Sequence, residues 1–375
     1  MSPQQQTTEP LSIESVTVVD TDSHLITDYD VLASYLPSDS AAKQMIAKAD
    51  NVGSDIFTNT RATPAFPNDH LGYDESGTNP ARSGADTPEG KIQFMEEFDI
   101  DYSVFSPNIM LGTVNHDPTA VALASAYNDL LVDRFLDVDD RLFATMAVAN
   151  QVPDRAAEEI DRIGDEKDVV GVQMPGAGMV PPAGHWQYDA IYQAAQERGL
   201  PIVMHSHDIQ AAVTFPVQRR WAETFTESHA FTFPAEFMWH LISLVFNGVP
   251  ERFPDLEFVL QEPGFEWLPW MMWRLDDHYL QNSEDLPSLT KMPSEYIRDQ
   301  FYLTTQPLGH TENYQHVAWM VEMAGGADTL LFSTDHPHPD FDTPNEVFSA
   351  VNGGVDRDDV EGIMGGTAID LFGLV

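Results

Sequence analysis

The chain has 375 residues, 42% of them apolar, and its 60 acidic residues against 18 basic ones give a net charge of −42 at pH 7. A charge of that sign repels nucleic acid and anionic lipid surfaces, so neither is expected as a partner. With no Cys there is no disulfide, thiolate nucleophile or Cys-based zinc site, and any metal must be held by His, Asp and Glu.

The acid is dispersed along the chain, and only five of the basic residues are Lys. We read this as a surface adapted to concentrated salt, as in a halophile, where screening over about 3 Å at 1 M removes much of the self-repulsion. No run of about 18 apolar residues is present to cross a membrane. The opening "MSPQQQTTEPLSIES" lacks the basic and apolar regions of a signal peptide, so a cytoplasmic protein is expected.

Residues 1–12 are expected to form a disordered tail and 13–375 a single domain. The first strand is predicted at 15–20, "SVTVVD". From its last residue onward Asp20, Asp22 and His24 alternate, which would turn all three to one face of a continuing strand. Residues 25–90, rich in Asp, Asn, Gly and Pro, are too long for an ordinary connection and are read as an irregular excursion over one barrel face. Seven more strands are predicted at 102–107, 141–148, 169–174, 200–205, 256–261, 300–305 and 329–334. Helical patterns lie between several of them, such as 153–165 and 188–199, the second stopped by Gly199. The alternation predicts an α/β fold, a (β/α)8 TIM-type barrel with a long insertion after strand one.

Sites in such barrels gather at the C-terminal ends of the strands. There the chain carries Asp22 and His24 after strand one, His205 after strand five, Glu262 after strand six and Asp335 after strand eight. The other strands end in less ionisable residues: Ser106 and Asn108, Asn150, Gln173 and Met174, and Thr304 to Gln306. Asp22, His24, His205 and Asp335 make a site for a divalent metal, Zn or Mn, because nitrogen and oxygen ligands do not choose between them. Asp20 is read as orienting a neighbour. Glu262 at the barrel mouth is expected to be paired, protonated or catalytic, since burial raises a carboxyl pKa, and is read as general acid/base or an extra ligand. His207, two residues past His205, and His229 are read as substrate contacts.

The run "FEWLPWMMW" puts Trp267, Trp270 and Trp273 at three-residue spacing and is read as packing between a helix and the barrel. "PGAGMV" lacks the third Gly of a dinucleotide fingerprint, and no G-x-S-x-G elbow or phosphate loop is present.

The pieces "VVDTDSHL", "GLPIVMHSH", "FTFPAEFMWHLISLVFNGVPERFPDLEFVLQEPGFEWLPWMMWRLDDHY", "LLFSTDHPHPD" and "GGTAIDLFGL" together resemble the amidohydrolase-related family. This is the superfamily branch that contains aminocarboxymuconate-semialdehyde decarboxylase and γ-resorcylate decarboxylase, and the resemblance runs from about residue 16 to 373. It implies that Asp22-Ser23-His24 stands where the family carries H-x-H or E-x-H, and that Asp22, His24, His205 and Asp335 bind metal. It also implies one metal, because strand four ends "VQMPG" where binuclear members carry a bridging carboxylated Lys or Glu. His338 is the His of "DHPHPD" usually retained, for a substrate or hydrogen-bonding role, and a homodimer follows by analogy. The family's decarboxylases keep a catalytic His at the end of strand six, where this chain has Glu262.

The expected function is therefore a metal-dependent carboxy-lyase, a nonoxidative decarboxylase of a small aromatic or enoic acid. Asp335 or Glu262 would move the proton that replaces the carboxylate. The alternative is a hydrolase of an ester, lactone or amide acting through a metal-bound hydroxide, and a third reading is a non-catalytic binding protein on the same barrel.

Overall fold

The computed structural model describes residues 11–25, 28–52, 85–107, 109, 111–176, 178–205, 223–338 and 341–375. Its strands are β1 (Val19–Leu25), β2 (Tyr102–Pro107), β3 (Leu142–Ala147), β4 (Val169–Pro175), β5 (Ile202–His205), β6 (Phe258–Gln261), β7 (Phe301–Thr304) and β8 (Leu330–Leu331), with helices between them. Neighbours pair in sequence order from β1 to β8, and every pair is parallel. Beyond the short β8 the chain stays beside β1. Thr21 N–H donates to the Phe332 carbonyl (3.1 Å), Asp335 N–H to that of Asp22 (2.8 Å) and His24 N–H to that of His336 (2.7 Å). The predicted barrel is thereby closed.

Its lower interior is an apolar ring. Val19, Val104, Phe143, Val170, Val203, Val259 and Leu331 form one cluster with Tyr302 packed on it, one side chain from each strand. Ala368 and Phe372 of the C-terminal helix Thr367–Phe372 join the same cluster, with Leu374 just after it. Each such side chain, fully buried, contributes about 1.5–3 kcal/mol. Outward-facing Met146, Val172, Met204 and Leu260 pack instead into the larger core shared with the helices.

Two residues further along the strands the interior turns polar. Ser106 Oγ donates to Gln261 Oε1 (2.7 Å), and Gln261 Nε2 donates to the Thr21 carbonyl (2.6 Å). This crossbar ties β6 to β1 and β2 and forms a floor under the barrel mouth.

Three local expectations change. The first strand begins at Val19 rather than at 15, after a 3-10 turn at Ile13–Ser15, and runs through the ionisable residues to Leu25. Polar groups can continue it because the β8 side of the seam supplies their partners. Within 25–90, expected to be irregular, the helices Tyr29–Ser34 and Ala41–Val52 form, and Pro88–Glu97 begins at its end. That last helix is started by Thr87, whose Oγ1 accepts from Gly90 N–H (3.2 Å). Residues 53–84, and residues 1–10 of the predicted tail, lie outside the described residues.

Trp270 and Trp273 do not pack as predicted. They stand 52% and 59% exposed on the helix Leu268–Asn282, while Trp267 packs against the core and donates its indole N–H to the Pro263 carbonyl (3.0 Å). Among the described residues no helix is long and apolar enough to cross a membrane.

Candidate metal centre

β1 brings three ionisable side chains into the barrel, all buried, but not in one row. The pairing with β2 slips between Asp20 and Ser23, and the Asp20 carboxylate turns to the segment after β8, accepting from Thr334 N–H (2.8 Å) and Thr334 Oγ1 (2.7 Å). Burial raises its carboxyl to about 6 against those hydrogen bonds. Asp22 faces the mouth, 3.6 Å from His24 Nε2 through one oxygen and 3.7 Å from His205 Nε2 through the other.

His24 is bracketed by two oxygens: its Nδ1 lies 3.3 Å from the Ser106 carbonyl and its Nε2 2.9 Å from Asp335 Oδ1. The carbonyl can only accept, so a proton on Nδ1 leaves the Nε2 lone pair free for a metal ion, whereas a proton on Nε2 is donated to Asp335.

Asp335 is held in place from every side. Its φ of 62° is left-handed, a strain of about 1–3 kcal/mol that only a rigid surrounding sustains. His338 Nδ1 meets its Oδ1 at 2.6 Å, and Gln306 Nε2 donates to Oδ2 at 3.3 Å. Burial by itself would raise its carboxyl, but the His338 charge and the contacts to His24 and His338 hold it below the usual range. Burial, then repulsion from Asp335 and Asp20, drives Asp22 well above it.

The ligand atoms of Asp22, His24, His205 and Asp335 all lie within 4.8 Å of one another. Both Asp22 oxygens are buried without a hydrogen-bond partner. Ligands at about 2.0–2.3 Å from one ion sit about 3–3.7 Å apart at ordinary coordination angles. The set therefore fits one divalent ion, Zn or Mn, whose charge would relieve the crowding of carboxylates.

Glu262 joins from the end of β6. Its Oε2 is 3.5 Å from His205 Nε2, its φ is 64°, and its N–H donates to Thr304 Oγ1 (2.9 Å). With Asp335 and His338 it forms a second potential ligand group beside the first. His338, predicted near the metal Asp, is thus brought to the site. His229 lies in the helix Phe225–Phe246 with its ring 4.9 Å from that of Phe233, and it belongs to neither ligand group. His207 lies outside the described residues.

Two participants were missed by sequence reasoning. Gln261 forms the floor, and nothing in "FVLQ" marked it. Lys91, from the helix Pro88–Glu97, is 1% exposed and places its ammonium 2.8 Å from Ser23 Oγ and 3.0 Å from His336 Nδ1. Burial pulls its pKa down to about 7 against the attraction of Asp20, Asp335 and Asp22. A signal for it existed: with Phe94 and Met95 it falls on the buried face of an amphipathic helix, where a Lys has no bland reason to be.

A family profile described as Amidohydrolase matches residues 19–374. Gamma-resorcylate decarboxylase of a Polaromonas species is 26% identical over 307 residues, covering 77% of this chain and 88% of the relative. 2-Amino-3-carboxymuconate-6-semialdehyde decarboxylase of Dictyostelium discoideum is 22% identical over 295 residues, covering 76% and 77%. A similar solved structure is 5-carboxyvanillate decarboxylase from Novosphingobium aromaticivorans, complexed with manganese and 4-hydroxy-3-methoxy-5-nitrobenzoic acid. It superposes with a TM-score of 0.72 at 18% identity, over 96% of this chain and 97% of that one.

Proposed function

This chain belongs to the amidohydrolase family, and from that premise we propose that it is a metal-dependent nonoxidative decarboxylase of a small aromatic or enoic acid. The observation that carries this reading is the convergence of Asp22, His24, His205 and Asp335 at the barrel mouth. These four hold the ion. That the N. aromaticivorans enzyme is complexed with manganese and a substituted hydroxybenzoic acid favours Mn and a hydroxylated aromatic acid. When bound, the ion draws density from the substrate oxygens and steadies the negative charge that builds as the carboxylate leaves.

The chain's own side chains do the rest. Glu262 carries the proton: the bond from carbon to carboxylate breaks, its electron pair stays on the carbon, and that carbon takes a proton from Glu262 as carbon dioxide departs. Water then reprotonates Glu262. Asp335, with His338 at 2.6 Å, is the alternative carrier, and His338 orients it. His338, His229 and His207 are the candidate substrate contacts, of which His338 is adjacent to the ligands.

The test is carbon dioxide release from γ-resorcylate, 5-carboxyvanillate and enoic acids by protein loaded with Mn or Zn. Release that depends on the ion and stops on chelation is expected. Ion-dependent cleavage of esters or lactones, with no carbon dioxide from any acid, assigns the hydrolase instead.

The same proposal includes a single domain over 13–375, a cytoplasmic homodimer and a halophilic source. The last rests on the −42 charge. It predicts a melting temperature that falls steeply as salt is reduced from molar to about 0.1 M, where charges repel over about 10 Å; a melt indifferent to salt removes it.

A further inference from the structure

Lys91 has no part in the chemistry above, yet its placement is specific. Its helix lies between β1 and β2 in the chain, and its ammonium ends at the β1–β8 seam. It donates to Ser23 Oγ (2.8 Å) and to the His336 carbonyl (3.4 Å), and lies 3.0 Å from His336 Nδ1. Ser23 sits between Asp22 and His24, and His336 follows Asp335. Ser23 and His336 also form the bridge that joins the two segments, and the His336 carbonyl accepts from His24 N–H at 2.7 Å. The His336 ring is stacked on Phe94 at 3.7 Å, one turn along the same helix. One helix thus grips the chain neighbours of three ligands.

We infer that Lys91 is a positioning residue of the metal centre: its ammonium holds the segment bearing Asp22 and His24 against the segment bearing Asp335, at the spacing one divalent ion needs. The inference rests on the metal reading above. A buried lysine is a poor device for stability alone, since an apolar side chain of similar volume usually does as well or better. Its cost makes sense where it fixes something else.

The sign of one measurement separates positioning from mere presence. A cation this near opposes the arrival of a divalent ion, so if Lys91 acted only through its charge, Lys91→Met would tighten metal binding. If it positions the ligands, the same change weakens binding, by the roughly 10–100-fold typical of groups that hold metal ligands from behind. The experiment titrates Mn2+ into the full-length wild type, Lys91→Met, Ser23→Ala and the double variant, following bound ion by electron paramagnetic resonance, with melts of the metal-free proteins alongside.

The expected result is a 10–100-fold weaker Kd for Lys91→Met, an altered Mn2+ line pattern and no lower metal-free melting temperature. Ser23→Ala should weaken binding too, and the double variant by less than the product of the two, because both remove one contact. An unchanged or tighter Kd in Lys91→Met overturns the inference. Should Lys91→Met fail to fold, an unchanged Kd and line pattern in Ser23→Ala overturn it, and a weaker Kd with an altered pattern supports it. A wild type that binds neither Mn2+ nor Zn2+ would overturn the metal reading itself, a different failure.

Discussion

Asp22→Ala is expected to strip the protein of its metal and lower turnover by about a thousandfold or more, the equivalent of the several kcal/mol a bound ion contributes to charge stabilisation. The metal-free variant should nonetheless melt higher than the metal-free wild type. Asp22 is fully buried with neither oxygen hydrogen-bonded, so without an ion it destabilises the fold, by about 1–3 kcal/mol for an unsatisfied polar group. Its carboxyl is raised by burial and by repulsion from Asp335 and Asp20. The part of that gain that comes from the charge is therefore present at neutral pH and is lost below about pH 4, where the group is protonated in folded and unfolded chains alike. Elemental analysis and melts in chelator at pH 7 and pH 4 check both halves. Metal retained in the variant, or a lower metal-free melt at pH 7, contradicts the assignment.

Glu262→Gln separates the proton carrier from the ion. The substitution keeps the side chain's size and the backbone hydrogen bond to Thr304 Oγ1 but removes the transferable proton. Turnover should fall by about 10²–10⁴, the usual worth of a general acid or base, with metal content unchanged and KM little moved. Loss of the ion with loss of turnover would instead make Glu262 a ligand, as its distance of 3.5 Å from His205 Nε2 allows.

The ease of reading this site from the sequence varied with the kind of signal involved. The seven later strands stood out because parallel strands buried on both faces are short apolar runs, and the ligands stood out because each follows such a run. β1 was misplaced by four residues because its second half is polar, and the partners that permit this, Thr334 and the backbone at 332–336, are more than 300 residues away. For the same reason Asp20 appeared to share a face with Asp22: a slip in register is invisible to strict alternation. Trp270 and Trp273 misled because spacing assigns a residue to a helix face, not to the face that is buried. The left-handed backbone at Glu262 and Asp335 had no local mark either, since neither is Gly or Asn; tertiary contacts impose it.

The crossbar of Ser106, Gln261 and Thr21 divides the barrel by height. Below it, hydrocarbon from all eight strands and the C-terminal helix supplies cohesion; above it, carboxylates and imidazoles stand clear of that hydrocarbon. Damage or innovation at the rim is thereby insulated from the part that keeps the chain folded. A lineage carrying this floor can exchange one rim residue for another and try a different reaction without first rebuilding its core.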